Sequence, residues 1–113
     1  SKKDTEIVLR LHKKLTPVKV AVLPLSKKGE LIEPAKDIAA NLRKHWVTEY
    51  DETGSIGKRY RRQDEIGTIY SITYDFDSSN DQKVTVRDRD TMQQERVAIS
   101  ELSTHLKNKF GFF

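Results

Sequence analysis

Val18-Lys19-Val20-Ala21-Val22-Leu23-Pro24-Leu25 is apolar at every position but one. A strand-length run without alternation predicts a strand covered on both faces, as in the middle of a parallel sheet. Pro17 breaks the chain before it, and Ser26-Lys27-Lys28-Gly29-Glu30 reads as the loop after it. Ile32, Ala35, Ile38, Ala39, Leu42 and Trp46 then recur at helical spacing, with Pro34 suited to a first turn. This predicts a helix over 33–45 and a short second strand over 47–51. A second helix is expected over 56–66, with Ser55 as its N-cap and Gly67 as its C′ residue. Residues 69–76 alternate, with Tyr70, Ile72, Tyr74 and Phe76 on one face and Ser71, Thr73 and Asp75 on the other. A turn over 77–81 leads to a fourth strand over 83–88, in which Val84 and Val86 point inward and Lys83, Thr85 and Arg87 outward. Another turn, from Asp90 and Thr91, precedes a fifth strand over 95–99. Ser100 is placed to cap a last helix that buries Leu102, Leu106 and Phe110 and stops at Gly111.

Strands joined through helices run parallel with right-handed crossovers, and strands joined by short turns run antiparallel. The expected fold class is therefore α/β: a three-layer α/β/α domain with a mixed five-stranded sheet. Its strand order should be 2-1-3-4-5, with the fourth strand antiparallel. One domain fits 113 residues. Residues 17–113 form the domain, and residues 1–16, with the apolar-rich piece Glu6-Ile7-Val8-Leu9-Arg10-Leu11-His12, read as a lead-in. The chain begins at Ser1 and its only methionine is Met92, so a piece cut from a longer protein is expected.

The second helix carries the densest positive charge: four of the five residues from Lys58 to Arg62 are basic. Its apolar positions are few (Ile56, Tyr60 and Ile66), and Gln63 stands where a core residue is expected. Lys58, Arg59, Arg61 and Arg62 are therefore expected to face water or an anion, beside the free N–H groups of a helix start. The net charge of +4 permits a nucleic-acid partner, and a solvated basic face is the plain alternative. A nucleotide P-loop does not fit. Only two residues separate Gly54 from Gly57, and Arg59 rather than Ser or Thr follows Lys58.

Absence of cysteine excludes disulfides, thiol catalysis and zinc ribbons. His12, His45 and His105 stand in unrelated contexts and are expected at surfaces, not around a metal. No serine occupies a nucleophile elbow, and no run reaches membrane-spanning length. Val84-Thr85-Val86-Arg87-Asp88-Arg89-Asp90-Thr91 mixes arginine forks with carboxylates. Such groups can read base edges, a carboxylate accepting from the cytosine amino group, or can simply pair with Glu95 and Arg96 across the sheet. Arg61 and Arg87 are expected to flank one RNA-binding surface. Glu52, Ser55, Lys58, Arg62, Asp77, Asp88 and Arg89 complete the candidate set. Lys58 and Arg62 would hold phosphates, and Arg87 would contact a base.

Leu9-Arg10-Leu11-His12, residues 17–25, Glu49-Tyr50-Asp51, Gly54-Ser55-Ile56-Gly57, residues 59–68 and residues 84–92 together resemble the C-terminal anticodon-binding domain of the dimeric class II glycyl-tRNA synthetases. The resemblance covers nearly the whole chain after Lys3. Two departures are local: Ile69 and Lys13 stand where the family tends to have proline. The resemblance implies the fold read above, shared with the histidyl, prolyl and threonyl enzymes. It implies a cytoplasmic, homodimeric parent ligase that joins glycine to its tRNA with ATP and Mg²⁺ in a preceding catalytic domain. This domain would itself be non-catalytic, hold no cofactor, contact no membrane and bind the anticodon loop of glycine tRNA, whose second and third anticodon bases are cytosines. Two other readings remain at this stage. One is a protein- or DNA-interaction module like a polymerase accessory subunit of the same fold, and the other is a small nucleotide-binding enzyme.

Overall fold

The unbroken apolar run forms β1 (Val20–Pro24), and all five of its residues are buried. The computed structural model describes residues 20–110, so the lead-in, Val18 and Gly111 lie outside the described residues. The chain continues through α1 (Gly29–Leu42), β2 (Thr48–Tyr50), α2 (Ile56–Glu65) and β3 (Tyr70–Tyr74). A single helical turn, α3 (Ser78–Asp81), then precedes β4 (Lys83–Asp88), β5 (Gln94–Ala98), a 3₁₀ turn (Ile99–Glu101) and α4 (Leu102–Phe110). The sheet order is β2-β1-β3-β4-β5. β1 is parallel to β2 and β3, and β4 is antiparallel to both of its neighbours. The expected topology is what the structure shows.

The two sheet faces differ in chemistry. Register aligns Val22, Ile72 and Val86 on one face, and Ala21, Ser71 and Arg87 on the other. The first face meets Leu31, Ala35, Ile38, Ala39 and Leu42 of α1, Trp46, and Leu102 and Leu106 of α4 in one apolar core. Phe110 seals it, edge-on to Tyr70 at a centroid distance of 5.5 Å. The second face carries Ser71, Thr73 and Arg87, buried but polar, and meets α2.

Four local expectations need correction. α1 starts at Gly29, so Pro34 lies inside it. The amide bond that proline cannot give would go to the carbonyl of Glu30, an exposed residue. The earlier start brings Leu31, rather than Ile32, into the core. α1 also ends three residues sooner than expected. The His45 and Trp46 amides both close back on the Leu42 carbonyl, and this tightened turn drops Trp46 into the core. β3 is buried on both faces because α2 covers the polar one, and Phe76, beyond the strand, is exposed. Finally, Ser100 lies within the 3₁₀ turn and does not cap α4.

Candidate nucleic-acid interface

α2 is held by polar anchors where an apolar stripe is thin. Ser55 caps it, its Oγ accepting from the Lys58 amide at 3.3 Å. At the other end Gly67 takes φ 87°, which lets the chain turn into β3. Between them the buried residues are Arg59 and Gln63. Arg59, 2% exposed, donates to the carbonyls of Pro24 and Leu25 at the end of β1. It thus fills the crevice where the connections of β1 and β2 leave for opposite faces. In open α/β sheets that crevice commonly takes a ligand. The expectation that Arg59 faces water or an anion is overturned, and Ile66, read as part of the apolar stripe, is exposed. The cause is simple: two carbonyls at a strand end need donors, and a helix arginine supplies both from one fork.

Gln63 is fully buried. Its Nε2 donates to Glu49 at 3.3 Å and to Asp51 at 3.4 Å, and its Oε1 accepts from Thr68 at 2.7 Å. Arg62 bonds Asp51 and the Thr53 hydroxyl, the latter at 2.7 Å. Asp51 also accepts from the Thr53 amide at 3.0 Å and hydroxyl at 2.8 Å. Burial pushes the Asp51 carboxyl up, but the Thr53 donors and Arg62 more than reverse this and hold it below its ordinary value of 3.8. A depressed folded-state value gives stability that is present above the ordinary value and lost as pH falls through the folded one. Asp51→Asn is therefore expected to be less stable than the parent at pH 7, by about 1–2 kcal/mol. The gap should close as pH falls through the lowered folded-state value. Urea unfolding at pH 7 and pH 2.5 checks this, and a gap of equal size at both would rule out the charge.

Arg87 is also placed differently from the open, outward side chain expected of it. Its Nη1 and Nη2 lie 2.9 and 3.2 Å from the Asp64 carboxylate oxygens, and the fork packs 4.9 Å from the Tyr60 ring. Nη2 also meets the Met92 sulfur at 2.8 Å. The bond to Asp64 raises the Arg87 pKa, against the effect of burial. Tyr60 in turn bonds the Thr73 hydroxyl. Sequence reading missed this clamp, although Arg87 and a carboxylate on a facing helix were both visible.

The remaining candidates divide by position. Glu52, Ser55, Lys58 and Asp77 follow or cap elements at the carboxyl ends of the parallel strands. Glu52 accepts from the Tyr50 hydroxyl at 2.6 Å, and Lys58 and Asp77 are exposed. Arg61 is exposed on the outer face of α2, and neither it nor Lys58 makes an ion pair among the described residues. Asp88 and Arg89 sit at the other edge. Asp88 shares the face of Tyr70 and caps the following turn, accepting from the Asp90 and Thr91 amides at 2.8 and 3.2 Å. Arg89 reaches toward Gly67 and pairs with Asp90 at 3.1 Å. On the polar face of β4 and β5, Arg96 is held by Asp75 and Asp81. Phe76 is an addition: an aromatic ring 43% exposed, with the Lys28 ammonium 5.5 Å from its centroid, next to Asp77. The alternation puts it on the strand face of Tyr70, Ile72 and Tyr74, but the strand ends at Tyr74.

Among the described residues no group of three or more His, Asp or Glu side chains could hold a metal ion, and no helix is long and apolar enough to cross a membrane. His105 instead pairs with Glu95, Nε2 to Oε1 at 2.7 Å.

Residues 19–109 match a family described as the anticodon binding domain. The chain is 62% identical over 109 residues to a glycine–tRNA ligase of Ruminiclostridium cellulolyticum, covering 96% of this chain and 23% of that protein. It is 57% identical over 103 residues to a glycine–tRNA ligase of Nocardia farcinica, covering 91% and 22%. The chain thus spans less than a quarter of the length of these relatives. Among solved structures, the RNA binding domain of threonyl-tRNA synthetase from Cryptosporidium parvum superposes with a TM-score of 0.74 at 26% identity, over 90% of this chain and 27% of that one. Prolyl-tRNA synthetase of the same organism shares the fold at a TM-score of 0.78 and 21% identity, over 85% and 21%.

Proposed function

The chain belongs to the anticodon-binding domain family, and from that premise we propose that it holds the anticodon loop of glycine tRNA for a longer glycine–tRNA ligase. One observation carries the location of the site. On a basic helix whose Arg59 and Arg62 are tied to the protein, Lys58 and Arg61 alone of the cluster stay exposed and unpaired among the described residues. Lys58 lies in the first turn of α2, which follows β2 at the carboxyl ends of the parallel strands, and the exposed ring of Phe76 follows β3 at the same end. A cationic track beside a stacking surface is what single-stranded RNA requires.

In this reading Lys58 and Arg61 meet phosphates, with the Ser55-capped start of α2 adding its dipole, whereas Arg62, expected on a phosphate, is held by Asp51. Phe76 offers a stacking surface. Glu52 and Asp77 are acceptors for base amino groups, which suits cytosines. Arg89 is the half-buried arginine of the second edge, and Arg87 and Asp88 hold the turn that presents it. Glycine activation with ATP and Mg²⁺ belongs to the part of the longer ligase outside this chain, with a homodimeric, cytoplasmic enzyme as the parent. The relatives named above are ligases, and none is a polymerase accessory subunit.

The test is titration of the chain with a glycine-tRNA anticodon stem-loop and with a loop whose two cytosines are replaced, at two salt concentrations. Tighter binding of the cytosine loop is expected. Lys58→Ala should weaken both loops alike and lower the salt slope by about 0.7, one phosphate contact on a single strand. Equal binding of both loops would overturn glycine anticodon recognition by this domain. An unchanged salt slope would move the phosphates off α2.

A further inference from the structure

β2 ends on Tyr50, at the carboxyl end of the parallel strands, and the residues that follow use their side chains differently. Asp51 has both carboxylate oxygens engaged inside the protein. Its Oδ1 accepts from the Thr53 amide and hydroxyl, and its Oδ2 from Arg62 and Gln63. Thr53 is tied to the same arginine. Glu52, half-buried between them, has only one oxygen engaged. Its Oε2 accepts from the Tyr50 hydroxyl at 2.6 Å, and its Oε1 accepts no hydrogen bond among the described residues.

A glutamate near the surface ordinarily samples several rotamers, and fixing one costs entropy. Here a rigid neighbour supplies the constraint. The Tyr50 ring packs against the apolar core, and the Lys36 ammonium of α1 lies 5.8 Å from its centroid. Tyrosine has only two side-chain torsions, so a ring placed in this way fixes its hydroxyl. Burial, and then the bond to Glu52, push the phenol up from its ordinary value of 10.0, so it donates throughout the neutral range. One carboxylate oxygen is thus held, and the other is a pre-set acceptor. An acceptor that cannot turn away selects groups that donate. Cytosine offers an amino group where uracil offers a carbonyl, and a carbonyl brought against a carboxylate leaves both without a donor.

We propose that Tyr50 is a positioning residue that determines specificity: its hydroxyl holds the Glu52 carboxylate so that Oε1 takes the amino group of one anticodon cytosine. This rests on the reading of the chain as the holder of a glycine anticodon loop. It assigns the discrimination to Glu52 and not to Asp51, whose oxygens are already occupied. It also places the control in a side chain that itself touches no RNA. The bonds among Asp51, Thr53 and Arg62 fix the backbone to either side of Glu52, so the acceptor is anchored at its base as well as at its tip.

Tyr50→Phe tests this directly, because it keeps the ring and its packing and removes only the hydroxyl. The parent chain, Tyr50→Phe, Glu52→Ala and the double variant are titrated with the glycine anticodon stem-loop. They are also titrated with two loops in which the second or the third anticodon cytosine is replaced by uracil. The parent should prefer the cytosine loop over at least one uracil loop. Tyr50→Phe should weaken the cytosine loop about fivefold and change that uracil loop by less than about twofold. Glu52→Ala should weaken the cytosine loop about tenfold or more. The double variant should bind as Glu52→Ala does, since a hydroxyl with no carboxylate to hold has no further effect. A merely structural Tyr50 behaves otherwise: Tyr50→Phe then weakens every loop alike, lowers the urea midpoint and adds to Glu52→Ala. That result would overturn the proposal, as would a Tyr50→Phe chain that discriminates as well as the parent. A parent that binds all the loops equally would instead overturn the anticodon reading itself, so the two failures are distinct.

Discussion

Arg59→Ala is expected to remove about 3–5 kcal/mol of folding stability, the largest effect of any single substitution on α2. Two costs add. The long stem of Arg59 occupies fully buried space between α2 and β1, so truncation opens a cavity in a packed layer. The carbonyls of Pro24 and Leu25 also lose their donors at a strand end. Arg59→Met separates these terms by restoring most of the volume and none of the donors, and should lose about 1–3 kcal/mol. Arg59→Lys cannot present a fork to two carbonyls and should fall nearer methionine than arginine. Urea unfolding with an unchanged m-value is the measurement. If alanine costs less than about 1 kcal/mol, water replaces the guanidinium and the crevice is open to a ligand after all.

This arginine also shows where sequence reading stops. The sheet was legible because its signals are one-dimensional. The run from Val20 to Leu23 has no polar break, Val84 and Val86 alternate with polar neighbours, and short turns fix the direction of β4. The apolar layer of α1 and α4 was legible for the same reason, apart from the phase shift from Ile32 to Leu31. The polar layer was not. In a sequence, Arg59 and Arg61 are alike, two arginines two positions apart. Only the three-dimensional positions of the Pro24 and Leu25 carbonyls decide that one is interior and the other exposed. Gln63 did signal its place by standing where a core residue was due, and it proved to be the centre of a hydrogen-bonded network. Phe76 misled in the opposite direction, since alternation continues past Tyr74 while the strand does not.

The candidate site divides along the same line. Lys58 and Arg61 were legible because exposure is the default for a cation on a helix. Arg87 was not, because its partner Asp64 lies 23 residues away on another element. The sequence showed a strand face of Lys83, Thr85 and Arg87 that the core does not need. The structure shows that α2 reaches far enough across β3 for Asp64 to claim the last of the three.

Asp64→Ala is expected to cost about 3 kcal/mol, more than Arg87→Ala, although both break the same pair. The asymmetry follows from solvation. Arg87 keeps only 9% of its side chain exposed and Asp64 keeps 28%, so an orphaned arginine is left drier than an orphaned carboxylate. Arg87→Ala should cost about 1–2 kcal/mol, and the double variant Asp64→Ala with Arg87→Met should recover much of the loss of Asp64→Ala. RNA binding then separates holding from reading. An arginine that contacts a base gives a loss of roughly 1–3 kcal/mol on the cognate loop and little on a substituted one. With both Nη atoms on Asp64 and the fork against Tyr60, Arg87 has no such freedom unless the clamp opens. Arg87→Ala and Asp64→Ala are therefore expected to weaken the cytosine loop and the substituted loop by the same factor, through the displaced Arg89 turn. A loss confined to the cytosine loop in Arg87→Ala, with Asp64→Ala binding as tightly as the parent or tighter, would mean that RNA takes Arg87 from Asp64. The carboxylate would then act as a competitor of the base, and Arg87 would be the base reader.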